Sequence, residues 1–169
     1  MTRHLVLGLS LILATATACS TAKPKAEEIQ QAAAAPATVP TAVAADENLS
    51  GDSDSGKAGA LKSIQFTYDS FVLDADGKEV LKANAEYLKA HSSVKVQIEG
   101  HCDIRGGIQY NIALGEKRAN AAKSFLLDQS IAADRVSTIS FGKEKLLDNG
   151  TSDEAHKKNR RGNFVITTK

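Results

Sequence analysis

The stretch Val94–Asp128, VKVQIEGHCDIRGGIQYNIALGEKRANAAKSFLLD, reads as a strand, a loop and a helix, and it carries most of the chain's polar chemistry. Val94, Val96 and Ile98 alternate with Lys95, Gln97 and Glu99, the period of two that sets one side of a strand against a core. The glycine pair Gly106-Gly107 breaks the pattern, so 100–110 reads as a loop. From about Asn111 to Asp128 the spacing lengthens, and Ile112, Ala119, Ala122 and Leu126 form the apolar stripe of a helix.

The same reading extends in both directions. Ile64 and Phe66 alternate with polar neighbours as a strand, and Asp74–Gly77 carries a turn signal. Val80, Leu81, Asn84, Tyr87 and Leu88 recur at helical spacing up to His91. RVSTISFG (135–142) reads as a third strand with Ile139 and Phe141 on one face, and NFVITT (163–168) as a fourth. Ser152–Lys158 reads as a short helix capped by Ser152 or Asp153. Strands alternating with helices predict an α/β sandwich, with helices packed on one face of a four-stranded mixed sheet. With 5% aromatic residues and no tryptophan, its core must be built mainly from Val, Ile, Leu and Ala. Basic and acidic residues nearly balance, 21 against 20, which argues against a nucleic-acid partner.

The first residues read differently. Arg3 and His4 precede an apolar run, Leu5–Leu13, too short to span a membrane but suited to a secretory leader. Cys19 directly after Ala-Thr-Ala resembles the lipidation site of bacterial lipoproteins, so 1–18 is expected to be a signal peptide and Cys19 an acylated residue. Two or more acyl chains would anchor the chain firmly, and Ser20 in place of an aspartate points to the outer membrane. The Ala-, Pro-, Ser- and Gly-rich segment 19–61 is expected to be a disordered tether, leaving 62–169 as the folded domain.

The chemistry concentrates around His101, Cys102 and Asp103. A nucleophilic Cys102 would need a base within reach, yet strand neighbours point to opposite sides, so His101 is badly placed to serve it. Cys102 follows Val94, Val96 and Ile98 toward the core as a buried thiol, and His101 goes to the other face as a hydrogen-bonded structural residue. No histidine pair has the spacing of a zinc site. Asn111 and Arg118, seven residues apart, share a helix face. If that helix packs beside its strand, they converge with Asp103 on one rim. An acid, an amide and a guanidinium together suit a ligand bearing both ammonium and carboxylate. Spacing alone favours an ordinary strand-to-helix salt bridge between Asp103 and Arg118.

The motifs IQFTYDSFVL, VQIEGHCDIRG, YNIALGEKRANA, RVSTISFGKEK and KNRRGNFVI, in that order, resemble the OmpA-like peptidoglycan-binding domain family. The resemblance implies non-catalytic binding of the diaminopimelate-containing stem peptide of peptidoglycan, with no cofactor and no metal. For a lipoprotein of this family it implies an outer-membrane location facing the periplasm, tethering of that membrane to the cell wall, and work with Tol-type proteins in cell division. It assigns Asp103 to the diaminopimelate ammonium and Arg118 to its carboxylate. Asn111 and Arg160 match supporting contacts, and Tyr68 and Asp69 match a segment lining the pocket. Thr67, Ile104 and Gly107 depart from the family pattern. Two other readings follow from the same residues: a domain of this fold whose main partner is a Tol-type protein, and a hydrolase using His101 and Cys102.

Overall fold

The computed structural model describes residues 51–168. The expected leader, Cys19 and the tether as far as residue 50 lie outside the described residues. In chain order the elements are β1 (Ile64–Gln65), α1 (Ala75–Ala90), β2 (Lys95–His101), α2 (Ile108–Asp128), β3 (Val136–Gly142), α3 (Asp153–Asn159) and β4 (Arg161–Thr168). The sheet runs β1-β4-β2-β3, with β2 and β3 parallel and the other pairs antiparallel. This is the helix-covered four-stranded mixed sheet that the sequence predicts.

Leu81, Ala85 and Leu88 of α1 and Ala119, Ala122 and Leu126 of α2 form one cluster with Val96, Ile98, Val136, Phe164 and Ile166 of the sheet. Burial of each large aliphatic side chain is worth about 2 kcal/mol. A one-residue slip of β2 would turn Lys95, Gln97 and Glu99 into that cluster, so the register is strongly specified. Two polar side chains complete the packing. Asn84, fully buried in the stripe of α1, accepts from the Lys62 N–H and donates to its carbonyl. Arg135 donates to the carbonyls of Leu88, His91 and Val94, closing the C-terminal end of α1 onto the start of β2.

Three expectations need correction. Asp74 is the N-cap of α1, accepting from Gly77 N at 2.7 Å, so the expected turn is the first turn of the helix. Helix α2 starts at Ile108, three residues before the expected Asn111. The folded part also begins earlier than residue 62. Gly51 and Ser53 hydrogen-bond to Ile166 and Phe164 along the edge of β4, Asp54 pairs with Arg161, and Ala58 and Leu61 are buried. That segment is too polar to make a core of its own, but its backbone finds an unpaired strand edge.

One contact sets how closely α2 lies on the sheet. A Cβ on Gly100 would sit 1.8 Å from the Gly115 carbonyl oxygen, and one on Gly115 would sit 2.3 Å from Ser140 Oγ and 2.8 Å from Gly100 O. Backbone therefore meets backbone, and the helical turn after Gly115 is drawn up to the end of β2.

The opposite face of the sheet carries Ile139 and Phe141, which are part-exposed rather than in the core. His101 stacks on Phe141 and donates from Nε2 to Glu99 Oε2 at 3.2 Å, while Asn163 Nδ2 donates to the same oxygen at 3.0 Å. Burial works against ionisation of Glu99, but the hydrogen bonds from His101 and Asn163 and the charge of Lys145 outweigh it and bring its pKa to about 2.

Gly115→Ala should destabilise the domain by ~2 kcal/mol or more, although helix propensity alone favours Ala over Gly by about 1 kcal/mol. Thermal unfolding should show a Tm lowered by roughly 10 °C; an unchanged or raised Tm would rule out the close contact. For Glu99 the folded pKa lies below the unfolded one, so its contribution is complete above pH 4.5 and is lost as the pH falls toward 2. The full contribution is on the order of 3 kcal/mol. Denaturant titrations at stepped pH should find stability falling more steeply over that window in the native protein than in Glu99→Gln.

Candidate functional site

At the end of β2 the chain keeps its alternation as far as Cys102. Cys102 turns to the helix side, where its thiol donates to the Asn111 carbonyl at 3.3 Å, and burial pushes its pKa up, the reverse of what a nucleophile needs. His101 lies on the other face against Glu99, so the two form no dyad. Among the described residues no group of three or more His, Cys, Asp or Glu side chains is placed to hold a metal ion.

Arg118, one helical turn past the Gly100–Gly115 contact, has no exposed surface and is the largest of the fully buried side chains among the described residues. Its Nε donates to Ser70 O at 2.8 Å, Nη1 to His101 O at 2.8 Å and Nη2 to Thr67 O at 3.0 Å, and its guanidinium lies 5.2 Å from the Phe66 ring. Asp69, between the two loop acceptors, takes a left-handed φ of 51°, a region where aspartate is over-represented. Three carbonyls use three of the five guanidinium N–H groups, and the Cys102 thiol is a further hydrogen-bonding neighbour. Among the described residues no carboxylate forms an ion pair with Arg118. Burial accordingly pulls its pKa below the ordinary arginine value.

The expected Asp103–Arg118 salt bridge is therefore absent, and Asp103 finds other partners. Its buried carboxylate accepts from Arg160 Nη1 at 3.2 Å and from Arg105 through the backbone N–H (3.1 Å), Nε (3.2 Å) and Nη2 (2.5 Å). Burial opposes its ionisation, but the bonds from Arg105 and Arg160 hold the carboxyl below the usual carboxylate range. Arg160 is itself fixed, donating from Nε to Phe66 O. Asn111 works as a loop clamp, its Nδ2 donating to the carbonyls of Arg105 and Gly107.

These groups surround one cavity of about 50 Å³, lined by all six residues singled out in the sequence: Tyr68, Asp69, Asp103, Asn111, Arg118 and Arg160. Tyr110 on its rim donates from its hydroxyl to Asp69. The basic run 157–161 divides, with Arg160 at the cavity, Arg161 bound to Asp54, and Lys158 paired with Asp148. Arg105, which the sequence reading passed over, also lines the cavity and lies 4.1 Å from the Tyr68 ring centre. Its one local signal was the aspartate two residues earlier, whose side chain accepts from the Arg105 N–H in a tight turn.

Comparison with known proteins gives the family. A profile of the OmpA family matches residues 65–160. The chain is 39% identical over 99 residues to the peptidoglycan-associated lipoprotein of Pasteurella multocida, covering 59% of this chain and 66% of that one. It is 38% identical over 99 residues to the peptidoglycan-associated lipoprotein of Haemophilus influenzae, covering 59% and 65%. The matches thus span just under two thirds of these relatives' length. The crystal structure of the peptidoglycan-associated lipoprotein from Burkholderia pseudomallei superposes with a TM-score of 0.60 at 33% identity, covering 62% of this chain and 89% of that one. The profile match takes in both loops of the cavity and the helix that carries Arg118, and the chain belongs to the OmpA family.

Proposed function

We propose that this chain is a non-catalytic binding module of the cell envelope that holds peptidoglycan by the diaminopimelate residue of its stem peptide. One observation carries the reading: a buried guanidinium that has no carboxylate ion-pair partner among the described residues lies in the same small cavity as a buried carboxylate. In this reading the Arg118 guanidinium grips a ligand carboxylate, and Asp103 is the acceptor for the ligand's ammonium. The names of the relatives supply the polymer. Acylation of Cys19 would place the module on the outer membrane, facing the periplasm, where holding the wall tethers membrane to wall alongside Tol-type partners. A second reading, in which a Tol-type protein is the main partner, draws on the exposed Tyr68, Phe71 and Val72 in the loop after β1 and Ile108 and Tyr110 in the first turn of α2.

The test is cosedimentation with purified sacculi, with free meso-diaminopimelate as competitor. Arg118→Ala strands three carbonyls and endangers the fold, so Arg118→Lys, which keeps the charge and loses the fork, is paired with Asp103→Asn. Truncating a buried charged contact costs ~2 to 5 kcal/mol, so each variant should lose at least about 30-fold in affinity while keeping its circular dichroism. Folded variants that cosediment undiminished would exclude the clamp. Binding to sacculi that diaminopimelate fails to displace would shift the case to the second reading. Growth on radioactive fatty acid should label the native protein and leave Cys19→Ser unlabelled.

A further inference from the structure

Arg105 holds the place that a ligand cation would take. Of the two arginines on Asp103, Arg160 is anchored from the other side by its bond to Phe66 O and is largely buried. Arg105 has no such anchor: its guanidinium rests on Asp103 and the face of Tyr68, with its side chain 38% exposed. The backbone beneath it is pinned. Asn111 Nδ2 donates to the Arg105 carbonyl at 2.7 Å, and Lys143 Nζ donates to the carbonyls of Gly106 at 2.7 Å and Ile104 at 3.3 Å. Only the side chain is thus free to leave, by rotation about its own bonds toward solvent.

We infer that Arg105 is a built-in competitor that occupies the ammonium subsite of the cavity and must be displaced for a zwitterionic ligand to bind. The inference rests on the function proposed above and adds a regulation of that site. In the free protein Arg105 neutralises Asp103. A ligand ammonium replaces one cation by another on the same carboxylate and gains only the difference, whereas a carboxylate reaching Arg118 displaces nothing. Apparent affinity is lowered by the fraction of molecules in which Arg105 is docked. Because an ion pair with one exposed member is worth little, the reduction should be about three- to tenfold.

Isothermal titration of the intact protein and Arg105→Gln with meso-diaminopimelate, and with pimelate, which has both carboxylates and no ammonium, separates the possibilities. Competition predicts that Arg105→Gln binds meso-diaminopimelate about three- to tenfold more tightly, with pimelate binding unchanged. Weaker binding of both compounds would make Arg105 a ligand contact and overturn the inference, as would equal binding of meso-diaminopimelate by the two proteins. If neither protein binds meso-diaminopimelate, the diaminopimelate reading itself fails, a result distinct from the other two.

Discussion

A guanidinium buried without an ion-pair partner among the described residues organises this molecule. Taking a guanidinium out of water is costly unless its N–H groups are met, and a neighbouring carboxylate is the usual remedy. Arg118 is instead met by three backbone carbonyls, two from the loop after β1 and one from the end of β2. Carbonyl dipoles satisfy the hydrogen bonds without cancelling the charge. The same side chain therefore ties two segments to α2, and in the proposed reading it is what attracts a ligand carboxylate.

That arrangement depends on distance. An alanine at either Gly100 or Gly115 would hold α2 away from β2, and the Arg118 side chain would no longer meet His101 O and both loop carbonyls together. Asp103 is kept out of the pairing by Arg105 and Arg160, which occupy its carboxylate. In the proposed reading, separate partners for the two opposite charges leave both groups to a zwitterion, which a direct Asp103–Arg118 bridge would exclude.

The elements were legible in the sequence where periodicity was strong. The alternation of β2 and the stripe of α1 appear as read, including Asn84, a polar residue in an apolar stripe that serves the Lys62 backbone. Boundaries failed where local composition misled. The 51–61 segment is polar because it is a strand edge and a cover, and composition alone cannot tell that from a tether. Ile139 and Phe141 share a face as read, but which face the helices cover is decided by the tertiary fold. Of the cavity, the six residues named from the sequence do come together, whereas the pairing among them was not legible. Spacing brought Arg118 and Asp103 to one place, but nothing in it showed that carbonyls of Thr67, Ser70 and His101 would take the guanidinium, or that Arg105 would fold back on Asp103.

The most direct measurement is a crystal structure of the protein grown with meso-diaminopimelate. The expected result is a ligand carboxylate joined to the Nη atoms of Arg118 by two charge-assisted hydrogen bonds of about 2.8 Å, with the three carbonyl contacts intact and the ligand ammonium on Asp103. A ligand bound elsewhere while the cavity stays empty, or a side-chain carboxylate of the protein itself resting on Arg118, would contradict it.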